Sequence, residues 1–259
     1  MMRFMRAVNF CARWAVPTLM LMLLRVPVFS QQVVVSAPLT ADQVVSKLVQ
    51  ENESRAKLLE AYSSLRVYHL ECHCVSHKVA DMVVRANYEA PDKKTFTILS
   101  ESGSGTVRNR AFKKLLEAEE ESMRAENQQR SAIAPENYTF QIVEYKRTDK
   151  DEVYVLEAQP RTKNKFLFRG RIWVDARDFA ITRVEGQPAV NPSWWTLNTE
   201  FKRSYGKVGN FWLPASNRSE TEVRVFGKAV LTIEYSNYEL TQVGGVTVAS
   251  SLDKFSNGQ

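Results

Sequence analysis

The sequence is sparing with glycine and proline: 10 and 9 in 259 residues. No stretch concentrates them, so nothing marks a flexible linker, and a collagen-like repeat is excluded. Cysteine is scarcer, at three, which excludes a small disulfide-stapled scaffold. The catalytic signatures that a sequence can display are missing too. There is no Gly-x-Ser-x-Gly elbow, Walker loop, His-Glu-x-x-His pair or dinucleotide fingerprint. Gly103-Ser104-Gly105 reads as a turn into a helix, not a phosphate cradle. What is present is 44% hydrophobic and 25% charged. That excludes a disordered chain. A domain of this length buries roughly 70% of its unfolded surface and needs no metal or disulfide to fold.

The net charge of +6 rests on one end of the chain. Arg3, Arg6 and Arg13 precede an apolar run from Trp14 to Leu24, followed by Arg25 and Val28-Phe29-Ser30. A basic start, about ten apolar residues and small residues at the minus-three and minus-one positions describe a secretory signal peptide. The expectation is a leader over residues 1–30, cleaved after Ser30, with residues 31–259 as one domain. An uncleaved anchor is the alternative, although the run is short for a bilayer and Arg25 interrupts it. The leader holds four of the 35 basic residues and none of the 29 acids. Without it the balance is 31 to 29, net +2, and nucleic-acid binding loses its compositional support.

Thr40-Ala41-Asp42-Gln43 has the form of a capping box. Val44, Val45, Leu48, Val49, Ala56, Leu59 and Tyr62 follow at helical spacing, which predicts a helix over residues 41–63 with one apolar face. The period then changes to two. Strands are expected over about 65–77, 79–90, 94–101, 138–146, 152–160, 165–175, 179–186, 197–206, 217–227 and 229–240. Short polar turns such as Pro91-Asp92-Lys93 join them, so neighbours run antiparallel. Residues 106–129 interrupt this meander with a second helical stretch. Its apolar stripe comprises Val107, Ala111, Phe112, Leu115, Leu116 and Met123, and the rest is charged. Such a helix caps the apolar face of the sheet or acts as a lid over it.

All three histidines lie in YHLECHCVSH. On a strand His69, Glu71, His73 and His77 share one face, and Tyr68, Leu70, Cys72 and Cys74 the other. His69 and His73 are then about 13 Å apart and cannot share an ion, though Glu71 with either neighbour could. A solvent-facing polar row is the preferred reading and a metal site the alternative. Cys72 and Cys74, side by side on one strand, sit at the outer limit of disulfide geometry, so they read as small buried apolar groups. Aromatic residues gather between 166 and 212. They form either a packed core or an apolar cavity for a lipid-like ligand.

Residues 165–188, KFLFRGRIWVDARDFAITRVEGQP, carry Gly170, Ile172, Trp173, Val174, Asp175, Ile181, Arg183 and Glu185. This pattern resembles a strand pair of the outer-membrane lipoprotein-sorting superfamily, the LolA/LolB-like group. LTIEYSNYEL, residues 231–240, is similar to that group's closing strand. The first half of the chain departs from the pattern, with ESGSGTVRN and the helix of residues 106–129. The resemblance implies an α+β fold: a curved antiparallel sheet, a half-open barrel of about ten strands, with helices on the concave face. It also implies an apolar pocket that takes acyl chains, and a Gram-negative periplasm.

Together these readings describe an exported, non-enzymatic protein without cofactor or metal. It buries the acyl chains of a lipid or acylated lipoprotein and touches the membrane transiently. The pocket residues expected are Phe112, Leu115, Leu116, Phe166, Phe168, Ile172, Trp194, Trp195 and Phe201. An envelope protein partner, bound by the same fold acting as sensor or scaffold, is the second reading. A metal-dependent enzyme using His69, Glu71 and His73 is the third.

Overall fold

Thr40 starts the first helix as its side chain requires. Its Oγ1 accepts from the Gln43 amide at 3.3 Å, and Gln43 Oε1 accepts from the Thr40 amide at 2.9 Å. Two orphan amides of the first turn are thereby satisfied. The computed structural model describes residues 37–73, 77–105, 111–149, 151–191, 196–224, 227–244 and 246–250. Helix α1 spans Ala41–Leu58 and buries Val44, Val45 and Leu48. It ends five residues earlier than its periodicity predicts. Residues 59–63 are drawn instead into a strand, where Leu59, Tyr62 and Ser63 pair with Gln242, Leu240 and Glu239. The ladder and the packing of Leu59 and Tyr62 against Tyr238 and Leu240 outweigh the local helical pattern.

Three strands follow: β1 (Leu59–His73), β2 (Lys78–Glu89) and β3 (Lys93–Gly103). Two short helices come next, α2 (Lys113–Met123) and α3 (Ala125–Ser131). The expected single helix over 106–129 is thus divided. Arg124 is extended, and the Asn127 side chain donates to the Glu121 carbonyl at 2.8 Å, closing the end of α2. Strands β4 (Tyr138–Arg147), β5 (Glu152–Pro160), β6 (Phe168–Asp175), β7 (Ala180–Pro188), β8 (Thr196–Val208), β9 (Phe211–Val223), β10 (Gly227–Gln242) and β11 (Val246–Ser250) complete the order. The strand expected at 217–227 starts earlier, directly after the Gly209-Asn210 turn.

The strands form one antiparallel sheet in the order β3-β2-β1-β10-β9-β8-β7-β6-β5-β4, with β11 also on β10. The sheet is curled but open, and the fold is α+β, a half-open barrel with helices on its concave face. Three apolar clusters fill that face. Helix α1 covers the first, which includes Tyr138, Tyr154, Leu156, Phe168, Ile172, Val174 and Val184. The second, formed by Tyr68, Ala80, Met82, Val84 and Ile233, is closed by Phe112, Leu115 and Leu116. The third joins Val208, Phe211, Leu213, Tyr238 and Leu240 where β10 leaves β9 and takes up β11. No helix of the described residues is long and apolar enough to cross a membrane.

Candidate functional site

Alternation along β1 places Ser64, Arg66 and Tyr68 on the apolar face, beneath α2. Arg66 is 1% exposed. A buried charge must be paired, and here the partner comes from the helix. Arg66 Nη1 donates to both carboxylate oxygens of Glu119, at 2.9 and 2.7 Å. Lys94 Nζ, from β3, donates to Glu119 Oε1 at 2.5 Å. The guanidinium also lies 5.4 Å from the Phe96 ring centroid and 5.1 Å from that of Tyr235, within cation–π range of both.

Burial alone would push the Glu119 carboxyl up, but Lys94 and Arg66 outweigh it and hold Glu119 below the usual carboxylate range. Burial likewise pulls Arg66 down, and the Glu119 charge and hydrogen bonds more than restore it. Two cations therefore face one carboxylate. Arg66 Nε, Ser64 Oγ and the Tyr68 hydroxyl have no hydrogen-bond partner among the described residues. An apolar floor, a surplus of positive charge and three orphan polar atoms meet under one short helix.

The residues expected to line a single pocket fall into two places. Phe112, Leu115 and Leu116 close the second cluster, with Phe112 edge-on to Tyr68 at 6.1 Å. Phe168, Ile172 and Phe201 belong to the first cluster, under α1, where the Phe168 and Phe201 rings meet edge-on at 5.6 Å. Phe166 precedes β6, half-buried, with Lys165 Nζ 4.8 Å from its ring. Trp194 and Trp195 lie outside the described residues. Arg66, Lys94 and Glu119 were not expected from the sequence. The available signal was an arginine at an inward position of the alternation Ser64, Arg66, Tyr68, Leu70.

On the opposite face, alternation turns charged side chains outward. Glu157, Arg169, Arg171, Glu185, Lys202 and Arg218 line an open groove of about 660 Å³ across β5–β9. Ion pairs Arg183–Glu185 and Arg218–Glu220 bind neighbouring side chains along it. At its floor Gly170 of β6 stands opposite Gly186 of β7.

The histidines occupy the outer face at the end of the β1–β2 hairpin. His69 Nε2 lies 2.9 Å from Glu71 Oε1 and its Nδ1 lies 2.6 Å from Asp81 Oδ1. His73 Nε2 is 3.4 Å from Glu71 Oε2. The polar row is therefore present, but β1 ends at His73, so His77 returns toward Glu71 and His73. Cys72 is not the small apolar thiol expected: it is disulfide-bonded. The other two cysteines, Cys11 and Cys74, lie outside the described residues.

The fold and the strapped helix define a class: half-open antiparallel barrels that carry helices on the inner face. Within it, residues 75–238 match the model of a family of unknown function, DUF5686, and the chain belongs to that family. No curated protein matches the chain. Solved structures give similar folds at low identity. A DUF1329 family protein from Desulfovibrio piger is 12% identical, covering 80% of this chain and 95% of its own, with a TM-score of 0.42. A domain from Vibrio parahaemolyticus described as outer membrane lipoprotein-sorting is 11% identical, covering 78% and 94%, with a TM-score of 0.40. A LolA superfamily protein from Nitrosomonas europaea is 13% identical, covering 77% and 93%, with a TM-score of 0.35.

Proposed function

We propose that this chain is an exported binding protein, not an enzyme, that takes an acyl chain between α2 and strands β1, β2 and β10. One observation carries the reading: the buried Arg66, with orphan polar atoms around it and two cations to one carboxylate, set in an apolar cluster. That combination suits a ligand with an apolar tail and an anionic head, such as a fatty acid or an acylated lipoprotein. Apolar burial supplies affinity at roughly 25 cal/mol per Å², before the costs of association. Residues 1–30 are the export leader in this reading, delivering the chain to a periplasm. N-terminal sequencing of the exported protein is expected to start at Gln31, whereas Met1 in the membrane fraction would indicate an anchor.

Helix α2 serves as the lid. Its own residues include none that is fully buried, and among the described residues its apolar contact with the second cluster is made by Phe112 just before it and the half-buried Leu115 and Leu116. Such segments open more readily than strands. Leu116→Asp places a carboxylate in the closing contact at a cost of several kcal/mol unless it finds a partner. The expected result is loss of binding of a fluorescent fatty acid with the strand signal in circular dichroism retained. If the variant unfolds as a whole, or if hydrogen exchange protects residues 113–123 as well as the strands, the lid reading fails.

The charged groove of about 660 Å³ favours a second reading, a protein partner in the envelope bound on the outer face. Mass spectrometry of co-purified lipid supports the first reading. A stable complex without lipid, weakened by charge reversal at Arg171, supports the second.

A further inference from the structure

We propose that the end of the β1–β2 hairpin is a transition-metal site, with Glu71, His73 and His77 as ligands for a zinc-class divalent ion. The donor atoms of these three residues all lie within 4.8 Å of one another. Among them, His73 Nε2 and Glu71 Oε2 are 3.4 Å apart. Two donors each about 2.1 Å from a tetrahedral zinc stand about 3.4 Å apart, so this pair already has the required spacing. The histidine rings meet at 5.1 Å between centroids, tilted by 55°.

The carboxylate is also held in place. Its other oxygen, Oε1, contacts His69 Nε2 at 2.9 Å, and His69 Nδ1 contacts Asp81 at 2.6 Å. Asp81 accepts in turn from Ser102 Oγ at 3.4 Å. This relay crosses β1, β2 and β3 and leaves Oε2 toward His73 Nε2. A ligating carboxylate fixed from behind is what metal sites require of their outer partners. Cys72, being disulfide-bonded, offers no thiolate. Two imidazoles and one carboxylate suit zinc, copper or nickel and disfavour magnesium, which prefers oxygen donors and several waters. Three protein ligands leave a fourth position for water or for a donor from another molecule.

Titration of the tag-free, oxidised protein with Zn²⁺ in a calorimeter tests the site. One ion per chain is expected, with Mg²⁺ giving no heat of binding. His73→Ala and His77→Ala should each weaken Zn²⁺ at least tenfold, and His69→Gln by about tenfold as an outer partner. His73 is half exposed and His77 exposed, so both variants should melt like the parent in the absence of metal. Co²⁺ loading should give the visible absorption of a tetrahedral ion, and this should vanish in His73→Ala. Absence of Zn²⁺ binding in the parent overturns the proposal. So does binding that survives both histidine changes, or equal binding of Mg²⁺.

Discussion

Glu119→Ala is expected to release helix α2 from the sheet. The change leaves Arg66 buried at 1% exposure with Lys94 nearby, two cations without their shared anion. Removing one partner of a buried pair costs about 3–5 kcal/mol. The chain escapes part of that cost by letting α2 lift and water reach the guanidinium. The loss should therefore appear locally: hydrogen exchange accelerates over residues 113–123 while the β4–β7 strands keep their protection. Replacing all three charges, Arg66→Met and Lys94→Met with Glu119→Leu, should recover most of the loss, because apolar substitutes for a buried charge cluster are often neutral or better. Unchanged exchange in Glu119→Ala would show that the ion pair does not hold the helix. Acid should mimic the variant. The folded-state carboxyl of Glu119 is depressed, so its contribution is complete above the ordinary glutamate range. It is lost as the pH falls below about 4.3 toward the depressed value.

Gly170→Ala is expected to be the most damaging small substitution in the sheet. A Cβ there would lie 2.1 Å from the Glu185 carbonyl oxygen and 2.6 Å from Gly186 Cα, both backbone atoms that cannot rotate away. Its φ of +157° adds strain for any L side chain. Overpacking typically costs 1–3 kcal/mol, occasionally more, and a strained backbone of order 1–3. A total of about 3 kcal/mol should lower the melting temperature by roughly 6–12 °C in a domain of this size. Gly244→Ala is the control. Its φ is +94°, but no described residue lies within 4 Å of an added Cβ, so it reports backbone strain without the clash. If Gly170→Ala is no worse than Gly244→Ala, the close approach of β6 and β7 is not what requires glycine.

The strand and helix plan was legible because the sheet is wet on one face and covered on the other, so period-two alternation survives in nearly every strand. The motif residues in 165–188 explain themselves in the structure. Ile172 and Val174 enter the core, Asp175 accepts from the Arg177 and Asp178 amides to cap the β6–β7 turn, and Arg183 lies 4.5 Å from the Trp173 ring. Where reading failed, the cause was long-range. Nothing between residues 58 and 63 announces β10 as a partner for a segment with helical spacing. Nothing around Arg124 breaks a helix, because the break is made by Asn127 reaching back to Glu121. The clamp was illegible for the same reason: Arg66, Lys94 and Glu119 come from three elements, and only the fold brings them together. The histidine row was read correctly along β1, but the return of His77 depends on where the hairpin turns.

The place of β1 in the sheet dictates an order of assembly. Strands β4 to β9 pair with sequence neighbours, so that half can zip up while the chain is still growing. Strands β1 to β3 pair with neighbours too, but the seam that joins them to the rest of the sheet cannot form so early. Strand β1 lies between β2 and β10, and partners such as Leu59 and Gln242 are about 180 residues apart along the chain. Closing so long a loop is entropically costly before any contact repays it, and folds dominated by such pairings are slow to form. Until β10 arrives, the β1–β3 strands expose the edge that β10 will cover, with Tyr68, Leu70 and the Arg66 guanidinium in the open. The last seam to close is thus the one that completes the floor beneath α2, and a chain truncated before β10 would carry every residue of the clamp without the surface on which it sits.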